Sequence, residues 1–252
     1  MLNAIIFDLD DTLLNWNTRE MDWFDADRQH LQGVYAYVTR QHPLPDFESF
    51  VDLVQALTVD AWLEGGRTLQ APNLGHVLAE ALLRLNVPAD KIDVTACLEA
   101  YNWRGMPGVR PFPEVPDVLQ TLQASGLKLG LITNAYQPMW MRDRELEAAG
   151  LSPDWFACRT SSADVGYLKP HPAVFAHTLD TLGVQPQEAV FVGDNLEADI
   201  VGASRAGMKA VLRRSNETGE SAREFLPDAE IDSLQELFGW LDRWFYGWQD
   251  GR

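Results

Sequence analysis

Short apolar runs in this chain end in polar clusters. Ala4-Ile5-Ile6 leads into Phe7-Asp8-Leu9-Asp10-Asp11-Thr12, Leu129-Gly130-Leu131-Ile132 into Thr133-Asn134, and Ala189-Val190-Phe191-Val192 into Gly193-Asp194. Runs that are apolar without alternation read as strands buried on both faces, the pattern of a parallel sheet. From about residue 114 onward one unit repeats: a helical segment, a glycine, then a strand. Segments 115–125, 139–149, 173–182 and 196–206 are followed by Gly126, Gly150, Gly183 and Gly207, and then by strands near 127–133, 155–160, 189–192 and 208–212. Glycine adopts the left-handed conformation that closes a helix. This alternation predicts an α/β fold with a doubly wound parallel sheet, a Rossmann-like core. In such a sheet ligands bind at the carboxyl ends of the strands, where the polar clusters fall.

Residues 15–109 break the pattern. Apolar positions recur there at helical spacing over 22–41, 47–57, 74–85 and 92–103, with no strand of comparable strength. This predicts an α-helical cap over 15–109, inserted into a core formed by 1–14 and 110–252. Pro107-Gly108, Pro111 and Pro113 punctuate the return. A helical insert above the catalytic edge suits a lid, and equally suits a rigid accessory layer. Near the C-terminus Leu237, Trp240, Leu241, Trp244, Phe245 and Trp248 form a stripe that reads as packing surface, or else as a dimer contact.

Bulk properties narrow the function. A length of 252 residues accommodates a large domain with an insert, and a formal net charge of -17 disfavours nucleic-acid polymers and anionic membranes as partners. No segment approaches the roughly 20 apolar residues of a membrane span. Cys97 and Cys158 show no paired spacing, which fits a cytoplasmic protein with reduced thiols. Asn216-Glu217-Thr218 matches a glycosylation sequon that carries no meaning without secretion. The five histidines lack zinc spacing. A monomer or a homodimer is expected.

Taken singly, each polar cluster has a plain explanation: a solvated strand-end aspartate, a Thr-Asn turn, a surface lysine. Together they bring carboxylates, a hydroxyl, turn amides and one cation to one edge, which suits magnesium and a phosphoryl group. In order, Asp8-x-Asp10-x-Thr12, Thr133-Asn134, Lys169-Pro170 and Gly193-Asp194-x-x-x-x-Asp199 resemble the motifs of the haloacid dehalogenase-like hydrolase superfamily, in its phosphatase branch with a helical cap after the first strand.

The resemblance implies a role for each residue. Asp8 is the nucleophile that forms an aspartyl phosphate; a carboxylate is ionised at neutral pH and needs no activating base. Asp10 is the general acid and then the general base, a role that a place beside other carboxylates and away from bulk water would suit, and its main-chain carbonyl ligates Mg2+. Thr133 and Asn134 hold phosphate oxygens, and Lys169 neutralises the phosphate and Asp8. Asp194 completes the metal set with Asp8 and Asp10, while Asp199 stands behind it, orienting a water or Lys169. Asp11 is expected in a turn, Thr12 to order the loop by hydrogen bonding, and His171 to cap a helix. Trp16, Asn17, Arg19, Arg104 and Arg110 are candidate lid contacts. The implied activity is magnesium-dependent hydrolysis of a small phosphorylated metabolite. Alternatives are a phosphomutase on the same scaffold, a phospho-receiver or interaction protein of a different class, and a dehalogenase, which Asp10 disfavours.

Overall fold

A computed structural model describes residues 1–214 and 226–249. The sequon at 216–218 lies outside them. The elements run β1 (Ala4–Phe7), β2 (Leu14–Asn15), α1 (Trp23–Val38), α2 (Phe47–Thr68), α3 (Leu74–Arg84), α4 (Val94–Tyr101), β3 (Arg110–Pro111), α5 (Val115–Ala124), β4 (Lys128–Thr133), α6 (Met139–Ala148) and β5 (Cys158–Ser161). They continue with α7 (Ser162–Val165), α8 (Pro172–Leu182), β6 (Ala189–Gly193), α9 (Gly202–Arg205), β7 (Lys209–Arg213), β8 (Ala229–Ile231) and α10 (Leu237–Trp244).

Six strands form one parallel sheet in the order β5-β4-β1-β6-β7-β8. β1 lies between β4 and β6, so its carboxyl end faces the ends of both neighbours. Side chains alternate across a strand. Ile5 and Phe7 therefore join one core layer with α5 and α10, while Ala4 and Ile6 join the other with α8 and α9. Helices on both faces explain why these strands read as continuous apolar runs. Within the C-terminal stripe Leu237, Leu241 and Trp248 are buried, and Trp240, Trp244 and Phe245 pack half-buried against the same layer. That placement favours packing over a free dimer face.

The α/β fold with an inserted helical cap is as expected; some element limits differ. α2 runs to Thr68 rather than 57, ending at Leu69 in the left-handed region (φ 60°). The strand expected near 155–160 is shorter, because Pro153–Trp155 form a 3-10 turn first. The segment expected as a helix over 196–206 opens with π-helical turns over Leu196–Val201 before α9.

β2 and β3 pair antiparallel as a two-stranded ribbon where the chain leaves and re-enters the sheet layer. We place the boundary of the cap at this ribbon. The α2–α3 connection also meets the core by main-chain bonds: Leu168 N to Leu69 O at 2.8 Å, Ala71 N to Gly166 O at 3.0 Å and Leu74 N to Tyr136 O at 2.8 Å. These bonds fasten the helical layer to the loop that carries Lys169. Among the described residues, no helix is long and apolar enough to cross a membrane.

Candidate active site

Asp8 is the first residue beyond β1, and its N–H donates to Val192 O on β6 at 2.9 Å. This bond extends the ladder by one residue and fixes the carboxylate at the sheet edge. Lys169 comes from the loop before α8. Its ammonium forms an ion pair with Asp8 and a second with Asp199, at 2.7 Å, and donates to Ile132 O at 3.2 Å. Asn134 holds that loop by reciprocal bonds to the Lys169 main chain, accepting at 2.8 Å and donating at 3.2 Å. Its side chain is thus engaged with the lysine loop.

Asp199 is fully buried and accepts from Asn195 N at 3.0 Å. Its side chain crosses directly over Gly193: a Cβ there would sit 2.3 Å from Asp199 Oδ2, so the close approach requires glycine. Asn195 caps the following turn by accepting from Glu197 N and Ala198 N, while Glu197 is exposed.

Carboxylate oxygens of Asp8, Asp194 and Asp199 lie within 4.8 Å of one another. Burial pushes the Asp8 carboxyl well above its ordinary range; Lys169 opposes this, and Asp199, Asp194 and Asp10 add to it. Burial, with repulsion from Asp199 and Asp11, pushes Asp194 up to about 7. Burial works against the Lys169 ammonium, but Asp199 and Asp8 outweigh it and hold its pKa above the usual lysine value. Three carboxylates face one ammonium, so a divalent cation suits both the charge and the hard oxygen donors of the cluster. The expected metal set named Asp8 and Asp194 through their carboxylates and Asp10 through its main-chain carbonyl; the grouped carboxylates are those of Asp8 and Asp194 with Asp199 added.

The Asp10 carboxylate is engaged elsewhere. Its Oδ1 accepts from Arg142 Nη2 at 2.6 Å and Trp16 Nε1 at 2.7 Å, and its Oδ2 from Arg142 Nη2 at 2.9 Å and Thr133 Oγ1 at 3.3 Å. Arg142 on α6 is buried and also pairs with buried Glu145 at 2.8 Å, which accepts from Trp103 Nε1 at 2.9 Å. Carboxylates do stand near Asp10, since its charge acts on Asp8 and Glu145, but the charged group in direct contact with it is the Arg142 guanidinium, which was not expected. Arg142 escaped the sequence reading because Arg142-Asp143-Arg144-Glu145 resembles the solvated face of a surface helix.

Asp11 has a positive φ of 57° and its Oδ1 accepts from Trp16 N at 2.9 Å, as a turn residue does. Thr12 orders the loop differently from expectation. Its hydroxyl is buried without a partner, and its carbonyl accepts from Arg213 Nη1 at 3.1 Å. His171 caps α8 by accepting from Ala173 N at 3.2 Å and stacks on Tyr167.

A cavity of about 490 Å³ opens beside Asp10 and Asn134, between the helical layer and the sheet edge. Trp16 lines it, as anticipated. Asn17, Arg19, Arg104 and Arg110 are exposed and do not line it. The two linkers bind each other outside the cavity, through Thr18 Oγ1 to Gly108 O at 2.8 Å and Glu20 N to Pro107 O at 2.9 Å, and those four side chains face solvent.

Comparison with known proteins agrees with this geometry. The chain is 35% identical over 160 residues to a glyceraldehyde 3-phosphate phosphatase of Methanopyrus kandleri, covering 62% of this chain and 67% of that one. It is 32% identical to a glyceraldehyde 3-phosphate phosphatase of Pyrococcus abyssi, covering 84% and 81%. A 2-haloacid dehalogenase structure from Pseudomonas syringae pv. Tomato superposes with a TM-score of 0.65 at 28% identity, over 97% of this chain and 100% of that one. The family model of haloacid dehalogenase-like hydrolases matches residues 2–207, from the edge of β1 through the helical layer to the end of α9. With the four motifs converging on one sheet edge inside that span, the chain belongs to the haloacid dehalogenase-like hydrolases.

Proposed function

We propose that the protein is a magnesium-dependent phosphatase that hydrolyses a phosphomonoester metabolite through an aspartyl phosphate on Asp8. The observation that carries this reading is the meeting of Asp8 with Lys169, Asp194 and Asp199, while Asp10, two residues on, lines the cavity. The names of the relatives from Methanopyrus kandleri and Pyrococcus abyssi support a phosphorylated substrate.

An Asp8 carboxylate oxygen attacks phosphorus; the new Asp8–phosphorus bond forms as the bond to the leaving oxygen breaks, and Asp10 gives that oxygen its proton. Water then attacks the same phosphorus, its proton passes to Asp10, and the Asp8–phosphorus bond breaks to release phosphate. Lys169 neutralises charge on the phosphoryl oxygens and Asp8. Thr133 bonds Asp10 and, in this reading, faces the phosphate together with the main chain of Asn134. Asp8, Asp194 and the Asp10 carbonyl would hold Mg2+, with Asp199 fixing Lys169. When bound, the ion supplies charge neutralisation that favours ionised Asp8 and an electrophilic phosphorus.

Asp8→Asn should abolish phosphate release from 4-nitrophenyl phosphate, and chelation should do so in the parent protein. Undiminished release by the purified variant would refute the assignment. A dehalogenase expels a halide that needs no proton, which leaves Asp10 without a task; chloride release from a 2-haloacid would restore that alternative.

A further inference from the structure

We propose that the cavity beside Asp10 receives an uncharged, flat aromatic leaving group that carries a hydrogen-bond acceptor, rather than a short polyol or a group with a second anion. The inference rests on the phosphatase reading and names its substrate class.

The path of the leaving group starts at Asp10, which must touch the leaving oxygen. Trp16 donates to that same carboxylate, so the body of the leaving group runs along the Trp16 indole. Trp16 and Trp23 lie 6.2 Å apart between ring centroids, and Trp23 and Tyr136 5.8 Å, which continues an aromatic wall into the cavity. Trp62 and Leu63 from α2 also line the cavity, and Leu63 is 61% exposed. An apolar surface beside the chemistry gains from cover, and an aromatic ring packs against such walls in stacked or edge-on contact.

Charge excludes the rivals. Among the described lining residues the charged groups are Asp10 and Arg142, and they are paired with each other. A second phosphate or a carboxylate on the leaving group would find no cation that is not already committed. A three-carbon polar chain would fill little of about 490 Å³ and would set its hydroxyls against indole faces. Gln137 offers a donor to a ligand: it lines the cavity, is 1% exposed, and its amide nitrogen has no hydrogen-bond partner. An acceptor on the aromatic body would supply that partner. A nucleobase and a substituted aryl group share this chemistry.

The test compares 2-phenylethyl phosphate with propyl phosphate, whose leaving alcohols have similar reactivity. It adds an arm with nucleoside 5′-monophosphates and an arm with glycerol bearing two phosphates. Binding to the Asp8→Asn protein with Mg2+ is followed by tryptophan fluorescence, and kcat/KM is measured on the parent protein. The aromatic ester should be favoured about tenfold or more over propyl phosphate in both measurements, and Trp62→Ala should bring that ratio close to one. Gln137→Leu should weaken the acceptor-bearing nucleotides relative to 2-phenylethyl phosphate. Tighter nucleotides than phenylethyl ester mark a nucleobase as the source; the reverse order marks a simple aryl group. Equal use of both esters, or preference for the bisphosphate, overturns the proposal and leaves the phosphatase reading intact if phosphate is released. Selective aromatic binding with no release from any ester supports the pocket assignment and overturns the phosphatase reading instead.

Discussion

Arg142 Nη2 lies 2.6 Å and 2.9 Å from the two carboxylate oxygens of Asp10. One buried guanidinium thereby sets the direction of the side chain assigned to proton transfer. The same guanidinium pairs with Glu145, which Trp103 holds from the far end of the cap segment. Asp10 cannot swing toward the Asp8 cluster without leaving Arg142 short of a partner. The orientation of the proposed acid is therefore set by the core helix α6 and the return of the cap together.

Replacing Arg142 should affect stability and rate separately. Arg142→Met leaves Glu145 buried without its cation, and loss of a buried partner costs about 3–5 kcal/mol. The Arg142→Met/Glu145→Gln pair should recover much of that loss in urea unfolding, since the two residues share one network. Turnover should stay reduced by about 10- to 100-fold in the double variant, because Asp10 is no longer held in place. Equal recovery of stability and turnover would show that Arg142 acts on the fold alone.

Much of the site was legible before the fold was known. Asp8, Thr133, Asn134 and Asp194 stand next to apolar runs, and a parallel sheet gathers such strand ends at one edge. Lys169 and Asp199 lack that cue and were placed by motif order. Arg142, Glu145 and Gln137 could not be found this way. Arg142 and Glu145 sit in a polar stretch and Gln137 stands alone in the turn before it; their burial depends on where α6 lands beneath the cap, which is a long-range packing outcome. The linker residues failed for a related reason. Asn17, Arg19, Arg104 and Arg110 are close to the site along the chain, but pairing of the two linkers sends their side chains outward.

The Asp194 carboxyl, pushed up to about 7 by burial and by repulsion from Asp199 and Asp11, should make cation binding depend on pH. Proton and cation compete for one carboxylate, so Mg2+ affinity should rise with pH through about 7 and level off above it. Calorimetric titrations across that range check this. Asp194→Asn should weaken binding at high pH and flatten the profile. An affinity in the parent protein that does not change with pH would contradict it.

Asp27 on α1 ties the cap to the core, because Tyr101 OH at 2.6 Å and Tyr136 OH at 3.2 Å both donate to its Oδ1. Burial raises the Asp27 carboxyl above its ordinary value, against the pull of Tyr101, Gln55, Tyr136 and His30. A raised folded-state pKa means that the fold favours the protonated form. Its contribution is present below the unfolded value of about 3.9 and is lost as pH rises through the folded value. Asp27→Asn removes this loss. Its urea midpoint relative to the parent protein should therefore climb over that window and then level off, and a difference that stays constant or shrinks would contradict the burial argument.

The central claim is that phosphorus becomes bonded to Asp8. Acid quenching within one turnover, followed by peptide mass analysis, tests it most directly. The peptide containing Asp8 should gain the mass of one phosphoryl group when Mg2+ and a phosphomonoester are present, and should not gain it in Asp8→Asn or after chelation. Steady phosphate release with no label on that peptide, or with the label on another residue, would contradict the account.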